Sequence, residues 1–147
     1  MTFARLHVGS DGYNSRMDPL QLEEVARRHG ILLLLQFGST LTSHARPDSD
    51  LDLAVLVARA PRSLTEHADL AADLQALTPH REIDLALLNR ADPLFLKKIT
   101  DNCALLYGSR RRLHELKMYA FKRYQDHRRY LALEREYVAS ALRRAAP

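Results

Sequence analysis

The sequence predicts an α/β fold in which helices and strands alternate and a long helical segment closes the chain. Three observations predict it. Helix-period and strand-period apolar patterns alternate from Asp18 to about Ser109. From Arg110 the pattern stays helical almost to the end. A length of 147 residues, 46% hydrophobic and 27% charged with only 5 Gly and 6 Pro, is that of one globular domain with a core, and it excludes collagen-like, low-complexity and broadly disordered chains. The expected organisation is a single domain over 1–147, with a core of about 18–109 and a C-terminal helical segment over 110–147.

Asp18-Pro19 reads as an N-cap followed by proline at the first helical position; Leu22, Val25 and Ala26 mark an apolar face that stops at Gly30. Ile31 to Phe37 is a short, continuous apolar run ending in Gly38-Ser39, which fits a buried strand delivering the chain into a tight loop. Leu51 to Val57 is a second strand, apolar apart from Asp52. Ser63 then caps a helix whose Leu64, Leu70, Leu74 and Leu77 recur at helical spacing, with Glu66 completing a capping-box pattern and Pro79 ending it. Glu82 to Leu88 is a third strand, Pro93 opens a short helix to about Asp101, and Ala104 to Tyr107 adds a small fourth strand. In the last segment Leu113, Leu116, Tyr119, Ala120, Tyr124, Tyr130, Leu133, Tyr137 and Leu142 lie near one face of one long or kinked helix; its first half packs on the sheet, and beyond about His127 it extends past the core.

Charge and cysteine content narrow the setting. The formal net charge is +4, yet residues 110–147 hold 11 Lys and Arg against 4 Asp and Glu. Such a surplus fits an acidic partner surface or nucleic acid at that end, or else a solvated, arginine-rich helix face. A lone cysteine, Cys103, cannot form an internal disulfide, and the 7 histidines show no ligand spacing for zinc. The longest apolar run, Ile31 to Leu35, is far below the roughly 20 residues that span a bilayer. Met1 to Ser10 does not read as a signal peptide, so a cytoplasmic location and no membrane contact are expected. Neither a helix-turn-helix pattern nor an aromatic stacking platform supports nucleic-acid binding, which is not expected.

The chemistry is concentrated between Gly38 and Asp84. Asp50 and Asp52 stand at i and i+2, so on a strand they project to one face while Leu51 and Leu53 point to the other. Two ionised carboxylates side by side repel, and a cation relieves the repulsion. Oxygen ligands without His or Cys select Mg²⁺, or Mn²⁺, rather than zinc. A third carboxylate, Asp84, interrupts the third strand on the face it shares with Ala86; if that strand neighbours the second, three carboxylates converge, as a two-metal phosphoryl-transfer site requires, with Asp84 as ligand or as base for the nucleophile. Gly38 at a strand end lets backbone approach a phosphate, and Ser39 and the residues after it offer hydroxyl and amide donors at a helix N-terminus. A Gly-Ser pair alone is more often a simple turn, and Arg46 reads equally as a phosphate partner or as a surface arginine.

Taken together, Gly38-Ser39, ten residues, then Asp50-Leu51-Asp52, with Asp84 on a later strand, resemble the DNA polymerase beta-like nucleotidyltransferase superfamily. The stretch over 38–53 looks most like the minimal nucleotidyltransferase (MNT) antitoxins that pair with HEPN ribonuclease toxins, over about 18–137. The resemblance implies a small mixed-sheet palm flanked by helices, Mg²⁺ and ATP, and transfer of AMP to a hydroxyl, typically a tyrosine, of the partner toxin, which silences it. It implies Gly38, Ser39 and Thr40, with Arg46, at the nucleotide, and Asp50, Asp52 and Asp84 at the metals and the reaction, with the basic C-terminal helix toward the HEPN partner. One position departs: Ser43 stands where these proteins commonly carry Gly. Two other classes stay open, an antitoxin that only masks its partner and a small-molecule nucleotidyltransferase, although the latter usually adds a helical domain that 147 residues cannot hold. No Arg-(four to six residues)-His ribonuclease motif occurs, so the chain is not expected to be the toxin.

Overall fold

The structure, a computed structural model, describes residues 17–41 and 49–145. Helix α1 (Pro19–His29) begins where local chemistry favours it: the Asp18 carboxylate accepts a hydrogen bond from the Leu20 N–H at 2.9 Å, and Pro19 sits where no donor is missed. Gly30, at φ 66°, ends it in the left-handed conformation that costs a glycine nothing. The chain then enters strand β1 (Ile31–Phe37), runs through a 3-10 turn over Gly38–Leu41, and returns in strand β2 (Leu51–Val57). Helix α2 (Leu64–Ala76) crosses to strand β3 (Ile83–Leu87), which lies parallel to β2. Helix α3 (Pro93–Asp101), capped by Asp92, leads to edge strand β4 (Cys103–Tyr107) and the long helix α4 (Arg110–Ala145).

Sheet order is β3-β2-β1-β4, with β1 antiparallel to both β2 and β4, so the sheet is mixed. β1 and β2 are its interior strands, and burial on two faces explains why β1 is apolar at every position but Gln36. One face is covered by α1 and α2 through Leu22, Val25, Leu70 and Leu74 on Leu34, Leu51, Leu53 and Val55. The other is covered by α3 and α4 through Leu96, Ile99, Leu116 and Ala120 on Leu33, Leu35 and Ala54. Truncating any of the fully buried leucines here costs about 2–5 kcal/mol.

Five expectations are corrected. α2 stops at Ala76 rather than at Pro79, because proline disfavours helical backbone at the residue before it, and Leu77 and Thr78 leave in tighter turns to Leu74 and Gln75. Leu64 is 88% exposed, since the first residue of α2 lies beyond the sheet. β3 is shorter than Glu82–Leu88: Leu88 turns into a 3-10 segment over Leu88–Arg90 and buries its side chain under α3. β4 starts one residue earlier, at Cys103. On α4 only Leu116 and Ala120 are buried, while Tyr119, Tyr130, Leu133, Tyr137 and Leu142 are exposed. α4 has 36 residues, about 54 Å of helix, against strands of 5–7 residues, so its second half outruns the sheet that could cover it.

Candidate active site

The site forms where β1 ends and β2 and β3 begin. Asp52 is the second residue of β2, and its Cα partner across the parallel ladder is Asp84 of β3. Residues two apart on a strand share a face, and Ala54 and Ala86, two positions further on, both pack in the α3/α4 core. The two carboxylates therefore project from the same side of the sheet, on adjacent strands. Asp50 lies just before β2 and is exposed. Burial pushes the Asp52 carboxyl above the usual aspartate range, and the negative charges of Asp84 and Asp50 push it further the same way. None of the ion pairs among the described residues involves Asp50, Asp52 or Asp84. β2 and β3 are neighbours in the sheet, the condition on which the three carboxylates meet.

Gly38 closes the site from the β1 side. Its φ of 78° suits glycine, and a Cβ placed on it would come within 2.8 Å of the Asp52 Cγ, with the carboxylate oxygen nearer still. The backbone at Gly38 thus lies directly against the Asp52 carboxylate. Ser39 is exposed in the turn that follows, and Thr40 is half-buried. That turn is a 3-10 segment of four residues, so the expected helix N-terminus at Ser39 is a single tight turn instead. The Thr40 hydroxyl accepts from the Gln36 side-chain amide at 3.0 Å and lies 3.4 Å from the Phe37 carbonyl. Arg46 and Ser43 lie outside the described residues.

The donor set suits a hard divalent cation in one respect and limits it in another. Asp50, Asp52 and Asp84 supply carboxylate oxygens only, the preference of magnesium. No three His, Cys, Asp or Glu side chains among the described residues form a ready cage for a metal. Magnesium needs none, because it commonly rests on one or two carboxylates and completes its shell with water and substrate phosphates. The residues fit an ion that arrives with a polyphosphate.

Sequence reasoning overlooked three side chains around this site. Gln36, only 8% exposed, underpins the turn through Thr40; as the single polar residue in an apolar strand, it carried a visible signal. Arg81 grips the Ser49 carbonyl through Nε at 3.2 Å and Nη2 at 2.6 Å. Gln75 holds the turn before β3, donating to the Arg81 carbonyl at 2.7 Å and accepting from the Ile83 N–H at 3.1 Å. Arg81 acts across 32 positions of sequence, which no local pattern announces, while Gln75 acts within eight.

Comparison with known proteins bears on the fold. The chain is similar in fold to the crystal structure of a toxin–antitoxin with AMP-PNP, at 21% identity and a TM-score of 0.63, covering 84% of this chain and 96% of that one. It is similar to a tri-AMPylated Shewanella oneidensis HEPN toxin in complex with MNT antitoxin, at 20% identity and a TM-score of 0.58, covering 84% and 93%. The toxin–antitoxin MntA–HepT gives 20% identity, a TM-score of 0.58, and 84% and 94% coverage. No curated protein matches the chain. Residues 21–112, which span β1 to the start of α4 and so all three aspartates, match the family described as Polymerase beta, Nucleotidyltransferase. The chain belongs to the polymerase beta nucleotidyltransferase family.

Proposed function

We propose that this protein is an antitoxin of the MNT type that transfers AMP from ATP to a hydroxyl, a tyrosine in the first instance, of a HEPN ribonuclease partner and thereby silences it. The observation that carries the reading is the register pairing of Asp52 with Asp84 beside Gly38. Three oxygen-donor side chains at one edge, with glycine backbone against them, are what holding a nucleoside triphosphate and its cations demands.

In this reading Asp50 and Asp52 hold magnesium, with manganese as a substitute, and Asp84 completes the set. Divalent ions bound there neutralise charge on the triphosphate and favour ionisation of the attacking hydroxyl. Gly38, Ser39 and Thr40 lie along the phosphates: Gly38 allows close approach, Ser39 offers its hydroxyl and amide, and Thr40, fixed by Gln36, sets the path of the turn. Asp84 accepts the proton of the attacking hydroxyl. The oxygen of that hydroxyl bonds to the α-phosphorus, the bond from that phosphorus to the oxygen bridging to the β-phosphorus breaks, and pyrophosphate leaves with the electron pair.

The partner meets the exposed half of α4. That half presents Tyr130, Leu133, Tyr137 and Leu142 among Arg128, Arg129, Arg135, Arg143 and Arg144. Tyrosine and arginine are the side chains most enriched at protein interfaces. The fold likeness to toxin–antitoxin complexes supports the same reading.

The test is incubation with labelled ATP, Mg²⁺ and a candidate HEPN partner. Label is expected on the partner with the wild type and at background with Asp50→Ala and Asp52→Ala. Neutralisation of the partner that survives loss of both aspartates, with no label transferred by the wild type, would refute catalysis in favour of masking.

A further inference from the structure

We infer that Arg81, held by Gln75, is a positioning residue that sets the direction of the Asp50 carboxylate; the inference deepens the proposed reading and rests on Asp50 being a metal ligand. The direction of a residue's Cα–Cβ bond, from which its rotamers start, follows from the backbone at that residue, and the backbone is fixed when the peptide groups on either side are held. Asp50 is held in this way. The carbonyl of the peptide before it, from Ser49, accepts two hydrogen bonds from the Arg81 guanidinium, at 3.2 Å and 2.6 Å. The N–H of the peptide after it, from Leu51, donates to the Glu82 carbonyl at 2.8 Å. Both restraints come from two adjacent residues, Arg81 and Glu82, so they act as one clamp.

The clamp is itself anchored. Gln75 of α2 donates to the Arg81 carbonyl at 2.7 Å and accepts from the Ile83 N–H at 3.1 Å, which are the two peptides flanking Glu82. Its amide also reaches the Thr78 carbonyl at 3.2 Å. Ile83 begins the strand that carries Asp84 and pairs in register with Leu51. One amide side chain therefore ties the segment that orients Asp50 to the strand that carries Asp84. Asp50 precedes β2 and has no ladder partner of its own in the sheet register. Without Arg81 the peptide before Asp50 loses these two hydrogen bonds, and the Cα–Cβ bond of Asp50 is held less firmly beside Asp52.

Arg81 touches only the Ser49 carbonyl among these groups, so its effect travels through backbone and is read first in metal binding. The experiment titrates Mn²⁺ into the full chain without nucleotide or partner, following free Mn²⁺ by electron paramagnetic resonance. Outer partners of metal ligands typically change affinity by about 10–100-fold. Arg81→Met is expected to weaken Mn²⁺ by about 10-fold, and Arg81→Lys, which keeps one donor, by about 3-fold. In AMP transfer to the partner, the same variants should raise the Mg²⁺ concentration for half-maximal rate and regain most of the wild-type kcat at saturating Mg²⁺. A merely structural role would lower the fraction of active protein without moving the metal dependence. Wild-type Mn²⁺ affinity in folded Arg81→Met overturns the inference; if that variant does not fold, wild-type affinity in Arg81→Lys overturns it. Mn²⁺ binding that depends on Arg81 with no AMP transferred by the wild type supports the positioning role and refutes the proposed function. A wild type that binds no Mn²⁺ overturns both.

Discussion

Replacing Asp52 by Asn should make the protein more stable without magnesium while removing its ability to gain stability from the metal. Asp52 and Asp84 face each other across a parallel ladder, where strands lie about 4.8 Å apart. Two unit charges about 5 Å apart repel by roughly 0.8 kcal/mol in water and roughly 3 kcal/mol at an effective dielectric of 20. Asp84 is exposed and Asp52 half-buried, so solvent screening keeps the value toward the lower end, about 1 kcal/mol. The partial burial that raises the Asp52 pKa adds in the same direction. For a chain of this length, about 1 kcal/mol corresponds to about 3 °C in Tm. The sign follows from linkage: the folded-state pKa of Asp52 lies above its unfolded value, so its favourable contribution is complete below the unfolded pKa and is lost as pH rises through the folded pKa. At pH 7 the penalty is fully present, and Asn removes it. Thermal unfolding followed by circular dichroism in EDTA, at pH 7 and again near pH 3.5, measures both parts. The variant should melt higher at pH 7, the gap should shrink in acid, and added Mg²⁺ should raise the Tm of the wild type only. A variant that melts at or below wild type in EDTA at pH 7 would show that the aspartates do not repel and would undo the electrostatic account of the site.

Two other substitutions probe different features. Gly38→Ala places a methyl group against the Asp52 carboxylate at a φ of 78°; left-handed backbone alone costs an alanine about 1–2 kcal/mol. Its Tm should fall by several degrees and its Mn²⁺ affinity should drop with it, whereas unchanged binding in a titration would mean that the turn at Gly38 does not shape the site. Asp73 of α2 lies 2.6 Å from His29 Nε2 and 3.0 Å from Arg28 Nη1 of α1. The hydrogen bond from His29, helped by Arg28, holds its carboxyl below the usual aspartate range against a partial loss of solvation. A lowered folded-state pKa gives stability that is present above the unfolded pKa and lost as pH falls through the folded one. Asp73→Asn should therefore lower the Tm slightly at pH 6–7, by the modest amount expected of a surface contact, and match wild type in strong acid; a gap that persists there would point to lost packing instead.

Much of the architecture was legible because its signals are local. Asp18-Pro19 and Ser63 announce helix starts through donors and acceptors a few residues away, and both N-caps form; Asp92 caps α3 just before the expected start at Pro93. In α2 the Ser63 hydroxyl accepts from the Glu66 N–H at 3.1 Å, while Glu66 reaches back to the Arg62 N–H rather than to that of Ser63. The strands were equally plain where two covered faces demand a nearly continuous apolar run, as in Ile31–Phe37 with Gln36 alone polar. Ends were less so. Leu64 obeys the helical period yet points into solvent, and the apolar positions of α4 keep their spacing past the point where any sheet remains to bury them. Periodicity reports which face a helix would bury, not how far its neighbour extends.

Residue type and spacing were enough to single out Asp50, Asp52 and Asp84 with Gly38-Ser39, since strand-borne carboxylates in an apolar context are costly unless something requires them. Their meeting depended on the strand order β3-β2-β1-β4, a long-range choice that no local pattern contains. Tertiary structure alone brought Gly38 against the Asp52 carboxylate, Arg81 onto the Ser49 carbonyl, and the Asn89 amide onto both backbone groups of Val57 at 3.0 and 2.8 Å. Each of the two side-chain contacts joins residues 32 positions apart. Helix caps and strand patterns are decided by energies within a few residues; contacts like these exist only after the sheet has ordered its strands and left particular backbone groups needing partners.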